Sequence, residues 1–220
     1  MLFQTPPPVN AKPTLAVFDF DGTIYARDSL LDFIRFIHGE GRLYLAAFKL
    51  APWILSYYTG RYSNARLKER LFVHFLADFP VVDLAEWGRQ YAEHWLPRHC
   101  YPGALEVLAW HRARGHRLYL LTASSDIWLG AWARGWGMEV VGTEWIQRGD
   151  FYTGKIWGKN CHGEEKQRRL AQIIEREQPA YCYGYGDHPE DQFFLSLADE
   201  AFPYPLNESG LARWQTDRLT

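Results

Sequence analysis

The first strand-like segment of this chain stands apart from all the others. Residues 15–20 (LAVFDF) form an apolar run that ends in a turn, and no second strand signal follows until residue 117. Between them, from about 29 to 95, apolar residues recur at helical spacing: Leu30, Phe33, Ile34 and Ile37, then Leu67, Leu71, Val73 and Phe75. Gly39-Glu40-Gly41, Tyr58-Thr59-Gly60 and Phe79-Pro80 cut that region into four helices. Pro102-Gly103 then opens a helix over 104–114 that Gly115 closes. Beyond it, strands are expected at 117–121, 138–142, 180–185 and 200–202, with helices at 126–136, 164–176 and 190–198. A hairpin over 145–156 turns at Arg148-Gly149-Asp150. Strands alternating with helices dictate a parallel sheet covered on both faces. The fold class is therefore α/β, a Rossmann-like parallel-sheet core, and the helical region is an insertion after its first strand. The expected division is a loose leader over 1–13, a core made of 14–28 and 97–220, and an all-helical cap over 29–96.

Bulk properties exclude several classes. With 220 residues, 47% hydrophobic and 23% charged, the chain can bury a sizeable core. A net charge of −2 offers no broad basic surface, so nucleic acid is not an expected partner. Three widely spaced cysteines, Cys100, Cys161 and Cys182, suit a reducing cytoplasm and no disulfide framework. The leader carries four prolines and no apolar signal segment. The longest apolar stretch, 43–58, is broken by Lys49 and Pro52 and is too short to span a bilayer.

In an open parallel sheet, ligands bind beyond the carboxyl ends of the strands. After the first strand come Asp19 and Asp21, two apart and so projecting to one side of an extended backbone. Paired carboxylates repel each other without a cation, and hard oxygen ligands suit Mg²⁺. A strand followed by an ordinary Asp-Gly turn is the plain alternative. After the second strand comes Thr122-Ala123-Ser124-Ser125-Asp126, whose amides and Thr122 hydroxyl can cradle a phosphate oxygen or simply cap a helix. After the strand at 180–185 comes Gly186-Asp187-His188-Pro189-Glu190-Asp191, where Asp187 can complete an oxygen set with Asp19 and Asp191 falls one turn later. Gly163-Glu164-Glu165-Lys166 puts a lysine in a first helical turn, where the dipole disfavours it by ~0.3–1 kcal/mol. A pocket holding carboxylates and phosphate would explain it.

Together these residues resemble the haloacid dehalogenase superfamily, in which DxDGT, a Ser/Thr after the second strand, a distant Lys and GDxxxD form one phosphotransfer site. The resemblance runs from about residue 15 to 203. The inserted helices, YPGALEVLAWHRARGHRLYLLTASSDIW and DFYTGKIWGKNCHGEEK are similar to the phosphoserine-phosphatase-like branch, subfamily IB. The resemblance implies a Mg²⁺-dependent phosphoric monoester phosphatase. Asp19 is then the nucleophile that becomes an aspartyl-phosphate, and Asp21 the general acid and base. Thr122 and Ala123 hold phosphate, Lys166 offsets charge, and Gly22 and Thr23 belong to the same loop. Mg²⁺ is expected on Asp19, Asp187 and the Asp21 carbonyl, with Asp191 acting through water or pairing with Lys166. The chain departs from the phosphoserine pattern in having Gly22 for Ser, Glu190 for Asn, and Asp28 at the substrate-facing acid of the cap. The side chain of Glu190 must then point elsewhere or bind a cation.

Selectivity is expected from the cap. The 43–58 stretch is apolar almost all round, and packing within the helical bundle is its default reading; a lipid-facing lid and a dimer contact are the others. Phosphatidylglycerophosphatase relatives in this superfamily carry an apolar cap segment at a similar place. Arg61, Arg66 and Arg70 follow it, and Arg66 is the candidate for a substrate carboxylate or anionic headgroup. Trp128, Trp132 and Trp136 form a helical stripe read as core, and His188 reads as a turn residue. The substrate expected is a small phosphorylated metabolite, with a lipid headgroup phosphate as the alternative and a non-catalytic phosphate binder as the remaining rival. Monomer and homodimer both fit.

Overall fold

A computed structural model of the protein describes residues 12–217. Most of the expected leader lies outside them. At its end, the Pro13 carbonyl accepts a hydrogen bond from the Ala180 amide (2.9 Å), just before the sheet begins.

Five strands form one parallel sheet: β1 (Thr14–Phe18), β2 (Arg117–Leu121), β3 (Met138–Val141), β6 (Tyr181–Gly186) and β7 (Glu200–Pro203), in the order β3-β2-β1-β6-β7. β4 (Trp145–Arg148) and β5 (Phe151–Ile156) make the expected hairpin beside it. The period-two alternation of β1 sends Ala16 and Phe18 into one apolar cluster and Leu15 and Val17 into the other. The central strand is buried on both faces, as its unbroken apolar run requires.

Three helices are inserted between β1 and β2: α1 (Ser29–Tyr58), α2 (Asn64–Phe75) and α3 (Val81–His94). Gly39 leaves helical geometry (φ 75°, ψ 166°) and divides α1 into legs 29–38 and 40–58, so the region has four helical segments. The insertion is pinned to the core at several points. Gly88 of α3 lies so close to α5 (Asp126–Trp136) that a Cβ there would stand 2.0 Å from the Ile127 carbonyl. Phe72 of α2 stacks on Trp145 of β4 with ring centroids 4.0 Å apart.

The remaining helices are α4 (Pro102–Ala113), α6 (Glu164–Glu177), α7 (Gln192–Leu195) and α8 (Glu208–Asp217). The helix expected over 190–198 is a short 3₁₀ turn followed by the four residues of α7. α8 had no expectation at all; Trp214 anchors it in the core. Trp128 and Trp132 are buried, in line with a core stripe, and Trp136 is half-buried. The 43–58 stretch departs from its default reading. Ala46 and Leu50 are buried, but Tyr44, Leu45, Phe48, Leu55 and Tyr58 are exposed.

Candidate active site

The three central strands deliver their first residues beyond the sheet to one rim: Asp19 and Asp21 after β1, Thr122 after β2 and Asp187 after β6. Lys166 enters from the first turn of α6, fully buried, with Nζ 2.8 Å from Asp19 Oδ1 and 2.7 Å from Asp191 Oδ1. Its unusual place at a helix start is thereby explained: two carboxylates hold its charge. Burial opposes that charge, but Asp19 and Asp191 outweigh it and hold Lys166 above its ordinary value. Asp191 also accepts from the His188 amide (3.1 Å), which fixes the turn. The expected pairing of Asp191 with Lys166 is present.

The two aspartates after β1 differ in surroundings. Burial pushes Asp19 up to about 6, against the pull of Lys166. Asp21 accepts from the Ser29 amide (2.8 Å), the Ser29 hydroxyl (3.2 Å) and the Ser124 hydroxyl (2.7 Å). Burial first, and the charge of Asp28 second, push it up to about 7. Oxygen atoms of Asp19, Asp187 and Asp191 lie within 4.8 Å of one another. The carboxylate of Asp21 is not in that group, which leaves its main-chain carbonyl for the expected ligand role.

Gly22 (φ 89°) is wedged under Asp187: a Cβ there would meet Asp187 Oδ2 at 2.4 Å. Thr23 donates to Asp187 Oδ1 (2.7 Å) and steadies it. Thr122 is buried, and its hydroxyl accepts from the Ser124 amide (3.1 Å), shaping the loop through Ala123. Ser125 caps α5, so capping and a loop of inward-facing polar groups coexist.

The chain matches the haloacid dehalogenase-like hydrolase model over residues 16–196. Protein CicA of Caulobacter vibrioides is 31% identical over 86% of this chain and 85% of its own length. This chain belongs to the haloacid dehalogenase-like hydrolase family. A probable phosphatase of Mycobacterium tuberculosis is 25% identical, covering 90% of this chain and 72% of that protein. A substrate-bound phosphoserine phosphatase has the same fold, with a TM-score of 0.59 at 17% identity, each chain 90% covered. The fold is thus phosphoserine-phosphatase-like, and the enzyme is a phosphatase-like hydrolase of this family.

Other expected contributors lie differently. Asp28 is exposed and caps α1, its Oδ1 accepting from the Leu31 amide (2.9 Å). Arg66 is exposed on α2 and lines a separate groove with Arg70 and Lys155. Glu190 turns to His162, with Oε2 2.7 Å from the ring Nδ1. His188 accepts from the Glu190 amide (3.3 Å) as a turn cap.

Two residues went unread in the sequence. Lys68 reaches from α2 to donate to the Ala123 carbonyl (2.8 Å), bringing a second ammonium to the phosphate-loop candidate. Burial lowers its pKa, opposed by the charges of Asp28, Asp21 and Asp19. Ser29 was equally silent: it ties Asp21 to Ser124 (2.9 Å between hydroxyls) and accepts from Trp128 Nε1 (3.0 Å).

Proposed function

We propose that this enzyme is a Mg²⁺-dependent phosphatase acting on a small phosphate monoester through an aspartyl-phosphate on Asp19. The observation that carries the reading is the convergence of Asp19, Asp21, Thr122, Lys166 and Asp187 on one sheet edge, with Lys166 within 2.8 Å of Asp19. Three carboxylates crowded within 4.8 Å offer only hard oxygen donors, the donor set that suits Mg²⁺. Asp19 and Asp187, with the Asp21 carbonyl, would hold the ion, which when bound neutralises charge on the transferring group.

The remaining chemistry belongs to the side chains. A carboxylate oxygen of Asp19 attacks phosphorus as the ester P–O bond breaks, and Lys166 holds that carboxylate in position. Asp21, pushed up to about 7 by burial, can carry the proton that the leaving oxygen needs. It then takes a proton from the water that cleaves the acyl phosphate, which releases inorganic phosphate and restores Asp19. The Thr122 hydroxyl and the Ala123 amide hold phosphate oxygens, and Lys166 and Lys68 offset the negative charge. We read residues 29–96 as a cap that closes over this rim and excludes water. We also read the enzyme as cytoplasmic, supported by three free, buried cysteines.

Asp19→Asn assayed on p-nitrophenyl phosphate with Mg²⁺ tests the nucleophile. Wild-type turnover by that variant would overturn the assignment. The exposed apolar face of α1 favours a second reading, a phospholipid carrying a terminal phosphate headgroup. Detergent-solubilised phosphatidylglycerophosphate and phosphoserine, assayed side by side, separate the two.

A further inference from the structure

Tyr44, Leu45, Phe48, Leu55 and Tyr58 recur at helical spacing along one side of the 40–58 leg of α1, with Ala51 and Pro52 exposed between them. Phe48 is 85% exposed and Tyr58 79%. The opposite side of the leg is satisfied, since Ala46 and Leu50 are buried and Trp53 lies under the Arg70 guanidinium at 4.0 Å. A helix carrying its large apolar residues on both sides has one partner too few.

Charge identifies the missing partner. Residues 41–76 hold Arg42, Lys49, Arg61, Arg66, Lys68 and Arg70 against the single acid Glu69, in a chain whose net charge is −2. All of these cations except Lys68 are exposed. On the satisfied side of the leg, Leu50, Tyr62, Arg66, Arg70, His74 and Lys155 line a groove of about 590 Å³. Its one acid, Glu69, is engaged by Lys155 (3.0 Å) and the Ile156 amide (3.1 Å). A second copy docking through the same face would set these cations against themselves, because a two-fold interface apposes identical patches. Anionic lipid headgroups complement them, and the acyl boundary receives the aromatic and leucine side chains. No described helix is long and apolar enough to cross a membrane, so the contact lies in the surface plane.

We propose that the exposed face of residues 40–58 seats the protein on an anionic lipid surface, with the exposed cations Arg42, Lys49 and Arg61 of the leg and its end meeting the headgroups. The inference concerns binding and needs nothing from the catalytic reading. The test is co-sedimentation of the full chain with vesicles of phosphatidylcholine alone or with one third phosphatidylglycerol. Anionic vesicles are expected to capture the protein, neutral ones to capture far less, and added salt to release it. The double variant Phe48→Glu/Leu55→Glu should lose capture by about tenfold or more while turning over p-nitrophenyl phosphate as wild type does, which shows that it is folded. Asp19→Asn should bind vesicles normally, so a failed catalytic assignment leaves this result standing. Absence of capture, or capture unchanged in the double variant, overturns the proposal. So does a dimer in light scattering that the double variant dissociates while vesicles capture neither protein.

Discussion

Asp19 and Asp21 leave the same strand two residues apart, yet one faces an ammonium and the other faces hydroxyls. That difference divides their labour: Lys166 favours the charged form of Asp19, while Asp21 sits where burial and the field of Asp28 favour its protonated form. Asp21→Asn should therefore slow alkyl phosphates by about 10²–10⁴, and p-nitrophenyl phosphate much less, because that leaving group needs little protonation. Steady-state rates on the two substrates check this. Lys68→Met should lower kcat/KM by about ten- to a hundredfold, and Lys68→Arg by less. Equal losses in the two variants would reduce Lys68 to a packing role. Sequence alone could not separate Lys68 from Arg66: both are cations on one short helix, and only the docking of α2 on the loop after β2 turns one inward.

Among elements, α3 packs closely on α5 at Gly88. Gly88→Ala would thrust a methyl group at the Ile127 carbonyl and should cost about 1–3 kcal/mol, seen as a lower urea midpoint. On α6, Glu165 is buried between Arg168 (2.6 Å) and Arg169 (2.9 Å), and hydrogen bonding from Arg168 holds it down to about 2. A depressed carboxyl adds stability above its ordinary 4.5 and loses it as pH falls towards about 2. Glu165→Gln should accordingly be less stable than wild type at pH 7 and flatten the loss of stability across that window, as urea unfolding at a series of pH values would show. The strands and their order of appearance were legible because a buried parallel strand is a continuous apolar run closed by a turn. α8 was not, since Glu208–Asp217 has a weak apolar pattern and acquires its place from Trp214 packing in the core. The 40–58 leg misled for the opposite reason. Its residues are apolar enough for a core, and hydropathy does not record which side finds a neighbour.

For the molecule as a whole, carboxylates from β1 and from the turn after β6 meet at one point, so an ion bound there should brace the entire sheet edge. On the proposed reading, saturating Mg²⁺ at about a hundred times its Kd should add ~2.7 kcal/mol to stability. For a domain of this size that corresponds to a rise in Tm of about 5 °C or more. Calorimetry with and without EDTA measures it, and Asp187→Asn should abolish most of the rise. The residues of the candidate site were readable from the sequence where a motif sat at a strand end or, for Lys166, where a cation stood at a helix start, whereas Lys68, brought by the insertion, was not.

Lys68 is the group imported that way, and its origin carries a consequence. If residues 29–96 act as the proposed cap, the ammonium would travel with α2, and lifting the inserted helices would take a positive charge away along with the roof. An arriving anion would then help to draw the roof down on itself.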